Sequence, residues 1–134
     1  MRVKISDWIA EFLVEQGIRH NFTVPGGGAM HLNVSFGHQK GLENIFVQHE
    51  QSAAIAAEGY YRATNEMPLV CCTTGPGGTN TLTGVLGAWL DSIPMLIICY
   101  NCPRSGDTCP CNGRSGIRYY AYGCTYDKIC RDDH

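Results

Sequence analysis

The sequence predicts an α/β domain built on a doubly wound parallel sheet. Short apolar segments rich in β-branched residues alternate with stretches of helical periodicity, in the order α followed by βαβαβαβ. Glycine-rich turns directly follow two of these segments, and a carboxylate, Glu50, follows a third. Alternating units of this kind place helices on both faces of a parallel sheet, which gives a three-layer structure.

The amino-terminal residues predict an amphipathic helix. Ser6 is a suitable N-cap, Asp7 would lie in the first turn, and Gly17 would end the helix. Four apolar residues are expected to share its buried face. They are Ile5, Ile9, Phe12 and Leu13.

The next part of the chain predicts a strand over residues 22–24, a turn over 25–28 and a helix over 29–36. Residues 44–47 are typical of a short buried strand. A helix then opens around Glu50 and continues to Arg62, with a side so rich in alanine that another element is expected to pack closely on it.

The remaining elements follow the same alternation. Residues 68–74 form an almost continuous apolar run, which predicts a strand buried on both faces. A turn at 75–78 follows, Thr79 is a suitable cap for a helix reaching about Leu90, and residues 94–99 predict a fourth strand.

Length and charge limit the function classes. A chain of 134 residues is expected to form one domain, and its net charge of −2 without a basic stripe argues against a nucleic-acid partner. No apolar run is long enough to span a bilayer, and the first residues lead into an amphipathic helix rather than a secretory signal. A cytoplasmic location without membrane contact is therefore expected.

The cysteines are unevenly distributed. Cys71, Cys72 and Cys99 lie in apolar strand-like runs, where a thiol is expected to act as a small buried side chain. The other five follow residue 101: Cys102, Cys109, Cys111, Cys124 and Cys130. These five with His134 could be considered as zinc ligands, but structural zinc sites favour wider paired spacing than Cys109 and Cys111 offer. No metal site is expected in this chain.

Two features at the predicted carboxyl edge of the sheet allow more than one interpretation. Glu50 is either an acid favoured by the helix dipole or a functional carboxylate. The turn from Gly75 to Asn80 is either a phosphate cradle or a tight crossover, because it lacks both Rossmann and P-loop spacing. A nucleotide- or anion-binding α/β module is therefore one alternative.

Five motifs together resemble one family. They are VPGGG at 24–28, HEQ at 49–51, AAEGY at 56–60, TGPGGTN at 74–80 and DSIP at 91–94. In this order and spacing the chain resembles the N-terminal, pyrimidine-binding domain of thiamine-diphosphate enzymes of the acetolactate synthase group. The resemblance extends from about Val3 to about Ile98.

The resemblance implies a thiamine-diphosphate-binding fold and a role for Glu50. In that family the glutamate at this position hydrogen-bonds a ring nitrogen, N1′, of the cofactor's aminopyrimidine and activates the cofactor toward 2-oxo acids. A carboxyl group among small apolar residues is partly desolvated, which suits proton sharing with a weakly basic ring nitrogen. By the same resemblance eight further residues line the pyrimidine side of the site. They are Gly26, Gly27, Gly28, Gly75, Pro76, Gly77, Gly78 and Asn80.

The resemblance also implies that the chain supplies only half of a site. Family members bind the diphosphate and Mg²⁺ through a separate C-terminal domain with a Gly-Asp-Gly motif, which this sequence lacks. The fold is therefore expected to be incomplete, and the chain alone catalytically silent. The parent would be a carboligase (transferase) or decarboxylase. Its expected partners are a 2-oxo acid substrate and a second copy of itself or, in a split enzyme, a separate chain with the diphosphate domain.

Residues 1–100 are thus assigned to this partial domain, and residues 101–134 are interpreted as a tail translated out of frame. Read one base downstream, the degenerate codons of residues 112–119 and 125–133 allow strings that resemble the family's continuation. Such a tail would have no evolved function and is expected to pack poorly on the sheet.

Overall fold

The computed structural model describes residues 3–100 and 118–122, and for Tyr100 and residues 118–122 it describes the backbone only. The elements in chain order are α1 (Ile5–Glu15), β1 (His20–Thr23), a 3₁₀ turn (Gly27–Ala29), α2 (Met30–His38), β2 (Glu43–Phe46), α3 (Glu50–Thr64), β3 (Leu69–Thr73), α4 (Pro76–Asn80), α5 (Leu82–Leu90), β4 (Met95–Tyr100) and β5 (Arg118–Tyr122). Within the described ranges, no helix is both long enough and apolar enough to cross a membrane.

The strands form one sheet in the order β2-β1-β3-β4-β5. The first four are parallel, which confirms the predicted α/β class and chain order. The chain places β2 on one side of β1 and β3 on the other. In open sheets of this kind a crevice lies outside the carboxyl ends of the strands where the order reverses, here between β1 and β3.

Helices cover both faces of the sheet and form two cores. On one face α1 and α2 bury Leu13 and Phe36 against Leu69 and Cys71 of β3. On the other face α3 and α5 bury Ala57 and other small side chains against residues that include Val70. Successive residues of β3 therefore enter opposite cores, and this confirms the prediction of a strand buried on both faces.

Helix α1 differs from the prediction at its start and on its buried face. Lys4 is the N-cap, without a side-chain cap, and Ser6 is buried inside the helix with its Oγ 2.8 Å from Ser35 Oγ of α2. The predicted Ser6 cap is wrong because the hydroxyl is satisfied across the helix pair instead. Ile5 is also 71% exposed and Phe12 is exposed beside Trp8, so of the predicted apolar face only Ile9 and Leu13 are buried.

Strand β2 is an edge strand, which the sequence did not predict. Its residues are exposed or partly exposed, and Phe46 keeps 68% of its surface accessible. The prediction of a buried strand here is wrong because β2 pairs only with β1 in the described sheet. A run of apolar residues identifies a strand but not its position within a sheet.

Helices α3 and α5 pack so closely that their backbones nearly touch at Gly84 of α5. A Cβ atom added to Gly84 of α5 would lie 2.5 Å from Ala54 Cβ and 3.0 Å from the Ala54 carbonyl carbon and Ile55 nitrogen. Arg62, near the end of α3, also pairs with Glu58 and with Asp91 at the end of α5. The predicted close packing on the alanine-rich helix is therefore confirmed, and α5 is the element that packs there.

Part of the predicted tail joins the sheet. The backbone of β5 pairs antiparallel with β4, from Met95 opposite Tyr122 to Cys99 opposite Arg118. Because only the backbone of these five residues is described, the expectation that the tail packs poorly stays a prediction. The frameshift and the other predictions for residues 101–117 and 123–134 lie outside the described residues.

Candidate cofactor site

Glu50 is the first residue of α3 and lies at the carboxyl edge of the sheet. His49 immediately before it is the N-cap, and its Nδ1 accepts a hydrogen bond from the Gln51 backbone N–H at 3.1 Å. The half-buried Glu50 side chain therefore starts from a fixed position, where the helix dipole stabilises negative charge.

The turn after β3 has a geometry that requires glycine at one position. Gly75 has φ of +71°, in the region that side chains disfavour, and α4 begins directly afterwards at Pro76. Thr79 lies inside α4 and its Oγ1 donates to the Pro76 carbonyl at 3.0 Å, so its predicted capping role is wrong. The predicted single helix is instead two, because α4 ends after Asn80 and α5 begins at Leu82.

Helix α4 brings the glycine-rich motif against Glu50. Asn80 Nδ2 donates to Glu50 Oε2 at 3.0 Å. A Cβ atom on Gly77 would lie 3.3 Å from Glu50 Oε1 and 2.9 Å from Thr73 Cγ2. Oε2 of Glu50 thus accepts a hydrogen bond from the Asn80 amide, and Oε1 lies beside the backbone of Gly77.

The first glycine motif, at residues 24–28, packs against Thr73 at the end of β3. A Cβ atom on Gly26 would lie 2.6 Å from Thr73 Cβ, so the backbone of the β1 turn approaches β3 closely. The Thr73 side chain therefore packs against both Gly26 and Gly77. Thr73 was not predicted as a site residue. Its importance depends on which strands are neighbours, and the sequence alone does not give that.

The other predicted site residues lie around this centre. Gly27 and Gly28 belong to the 3₁₀ turn that leads into α2, and Gly75 and Pro76 are exposed. Gly26 and Gly27 also line an open groove of about 510 Å³, whose other lining residues are Pro25, Met30, Asn33, Val34 and Phe46. The structure therefore brings Gly26, Glu50, Gly77 and Asn80 together and places Gly27 and Gly28 at the margin.

Gly78 contacts a pair of thiols beneath the site. A Cβ atom on Gly78 would lie 3.1 Å from Cys99 Sγ, which in turn lies 3.2 Å from Cys72 Sγ. The prediction that these cysteines are small apolar side chains in the strands is confirmed for the buried Cys71 and Cys72. Cys99 is only partly buried, and its proximity to Cys72 was not predicted.

We expect the Asn80 amide to stabilise the folded chain. Asn80→Ala leaves Oε2 of the half-buried Glu50 without this donor, and a hydrogen bond to a charged group contributes about 1.5–3 kcal/mol. The free energy of unfolding, measured by urea titration, should fall by that order. Thr79→Ala in the same helix removes an exposed hydroxyl and should cost clearly less; equal losses in the two variants would contradict a specific Asn80–Glu50 contact.

Comparison with known proteins gives one consistent result. Residues 3–118 match the family described as thiamine pyrophosphate enzyme, N-terminal TPP binding domain. The chain is 41% identical over 93 residues to the acetolactate synthase large subunit of Buchnera aphidicola subsp. Acyrthosiphon pisum. It is 36% identical over 93 residues to the acetolactate synthase isozyme 3 large subunit of Escherichia coli, and 36% identical over 101 residues to the chloroplastic acetolactate synthase of Arabidopsis thaliana.

These matches cover most of this chain and a small part of the relatives. The Buchnera and Escherichia coli alignments cover 69% of the chain and 16% of the relative. The Arabidopsis alignment covers 75% of the chain and 15% of the relative.

Proposed function

Because the chain belongs to the family of thiamine pyrophosphate enzyme N-terminal domains, as its motifs predicted, we propose that it forms the pyrimidine-binding half of a thiamine-diphosphate site. The observation that supports this most directly is the arrangement of Glu50, Gly77 and Asn80 at the carboxyl edge of the sheet. Ligands of open α/β sheets bind at this edge.

The described residues fit an aminopyrimidine ring. Asn80 fixes Glu50 through Oε2, while Oε1 lies beside the Gly77 backbone, against which the Thr73 side chain also packs. A carboxylate oxygen in this position can accept a hydrogen bond from a protonated ring nitrogen, or hold the proton itself. Gly26 and Gly77 both pack closely on Thr73, so the two glycine-rich turns meet at the end of β3 beside Glu50.

Each residue then has a defined task in the proposed site. Glu50 holds and returns a proton at the ring nitrogen, and Asn80 keeps its carboxylate in one orientation. Thiamine diphosphate, when bound, supplies an electron sink for cleaving and forming bonds next to a carbonyl group. In the proposed whole enzyme the substrate is a 2-oxo acid, as expected for an acetolactate-synthase-like carboligase or decarboxylase.

The proposal includes a second domain to hold the diphosphate and Mg²⁺. One face of α5 exposes large apolar side chains at four-residue spacing, at Leu82, Leu86 and Leu90. Exposed apolar surface of this kind is typical of an interaction site. We infer that a diphosphate-binding domain, in another copy of the parent protein or on a separate chain, completes the site, and that the 134-residue chain alone does not turn over pyruvate.

The ligand is tested by NMR titration of the isotope-labelled chain. Thiamine and thiamine diphosphate share the aminopyrimidine, so both should shift the backbone amides of Gly26, Gly77 and Asn80. ADP is the control, because a nucleotide- or anion-binding turn at Gly75 to Asn80 would respond to its phosphates. Shifts at these amides with ADP, and none with thiamine, would reject the proposal in favour of that alternative.

A further inference from the structure

Cys72 and Cys99 face each other on neighbouring strands. They are opposite each other in the register of β3 and β4, and their Sγ atoms are 3.2 Å apart. A disulfide has an S–S distance of about 2.05 Å, so the two sulfur atoms need to approach by only ~1 Å. In the described part of the chain these two are free thiols.

The two thiols have different surroundings. Cys72 is 1% exposed, whereas Cys99 is partly accessible beside Gly78. The hydrogen bond between the two thiols raises the pKa of Cys72 and lowers the pKa of Cys99, while burial opposes the lowering at Cys99. Cys99 is therefore the thiol that reaches solvent and favours the thiolate, the reactive form.

Cys71 is a natural internal comparison. It is adjacent to Cys72 in sequence, but it lies in the core on the opposite face of the sheet. Burial raises the pKa of the Cys71 thiol to about 12. It therefore remains a protonated, inaccessible thiol at neutral pH.

We propose that Cys72 and Cys99 form an oxidation site, at which a hydroperoxide converts the two thiols into an intramolecular disulfide beneath the α4 turn. The proposal rests on the proximity, register and unequal exposure of the two sulfur atoms. It does not depend on the identity of the cofactor.

The chemistry balances with one hydroperoxide. The Cys99 thiolate attacks a peroxide oxygen, the O–O bond breaks, and Cys99 becomes a sulfenic acid while the leaving oxygen departs as water or an alcohol. The Cys72 sulfur then attacks the Cys99 sulfur, and the S–O bond breaks as the S–S bond forms. The departing hydroxide takes the Cys72 proton and leaves as water, so two thiols are oxidised and one peroxide is reduced.

The disulfide would act on the segment that holds the candidate site. Gly78 packs against Cys99 Sγ. Asn80, which donates a hydrogen bond to Glu50, lies two residues further along the same short helix. If the two sulfur atoms move toward each other, the contact between Cys99 Sγ and Gly78 of α4 changes. Oxidation is expected to alter the backbone at Gly77 and Gly78 more than at Gly26.

The test is mass spectrometry of the full chain after oxidation. The reduced protein is treated with one equivalent of hydrogen peroxide, remaining thiols are blocked with N-ethylmaleimide, and the protein is digested with chymotrypsin. Cleavage after Trp89 and Tyr100 separates Cys72, Cys99 and the later cysteines into different peptides. The same treatment of a variant with serine at all five cysteines after residue 101 removes competing thiols.

We expect a peptide pair linked between Cys72 and Cys99 in both proteins. Cys72→Ser and Cys99→Ser should each abolish the link without the remaining thiol pairing with Cys71, and the matched control Cys71→Ser should preserve it. The proposal is overturned if the wild-type chain forms no such link, if Cys71 takes the place of Cys72 in the linked pair, or if Cys99 oxidises further while Cys72 remains alkylatable. Because the wild-type chain gives the primary result, a variant that fails to fold does not affect the decision.

Discussion

Replacing Glu50 with glutamine in a complete site is expected to lower turnover by about two to four orders of magnitude, the usual contribution of a positioned general acid–base group. Glutamine keeps the shape of the side chain and its place at the start of α3. It cannot hold a proton and return it, so only the proton-sharing function is lost. Folding and cofactor affinity should change much less than turnover.

The experiment transfers the change to the matching glutamate of an intact relative, such as the acetolactate synthase isozyme 3 large subunit of Escherichia coli. Acetolactate formation, hydrogen–deuterium exchange at C2 of the cofactor, and the dissociation constant for thiamine diphosphate are measured for both proteins. A loss of turnover and exchange with the dissociation constant preserved supports the proposed role. An unchanged exchange rate would assign Glu50 instead to stabilisation of the start of α3.

The second large effect concerns the contact between α3 and α5. Gly84→Ala adds a methyl group where the nearest atoms would be 2.5 Å and 3.0 Å away, and two of these atoms are backbone of α3. The backbone cannot move aside without separating the helices, so we expect the free energy of unfolding to fall by about 1–3 kcal/mol, the usual cost of overpacking.

Gly59→Ala is the matched control for that change. Gly59 lies inside α3, and a Cβ atom placed there would have no neighbour within 4 Å. Alanine is favoured over glycine inside a helix by about 0.5–1 kcal/mol, so this variant should be more stable than the wild type. Urea unfolding followed by circular dichroism measures both. If the two variants change stability in the same direction, the helices do not pack as closely as described.

The sequence predicted the parts of this fold that depend on local pattern. The continuous apolar run of β3 specified a strand buried on both faces, and the alanine-rich side of α3 specified a close neighbour. In contrast, the apolar residues of β2 did not show that Phe46 would be exposed, because an edge strand and a central strand can share one local pattern. The position of a strand within the sheet is decided by pairing with distant residues.

In the candidate site, too, local sequence pattern predicted some residues, and contacts between distant residues determined the others. Glu50, Gly77 and Asn80 could be selected from motifs, because a strand end, a helix start and a glycine-rich turn are local features. Thr73 and the Cys72–Cys99 pair could not, since their contacts depend on the register between β3 and strands or turns far away in sequence. The Ser6 and Thr79 caps failed for a related reason: each hydroxyl had an alternative partner that the local pattern did not reveal.

The order of the strands also determines the order in which this chain can fold. β1 lies between β2 and β3, and its contacts reach 23 residues forward to Asn44 of β2 and 48 residues forward to Cys71 of β3. During synthesis β1 therefore leaves the ribosome well before both of its neighbours. Closing such long loops costs chain entropy before the pairing contributes any stabilisation, which slows folding. We therefore expect the centre of this sheet to be completed late, after a β1–β2 pair that exposes the side of β1 that β3 later covers.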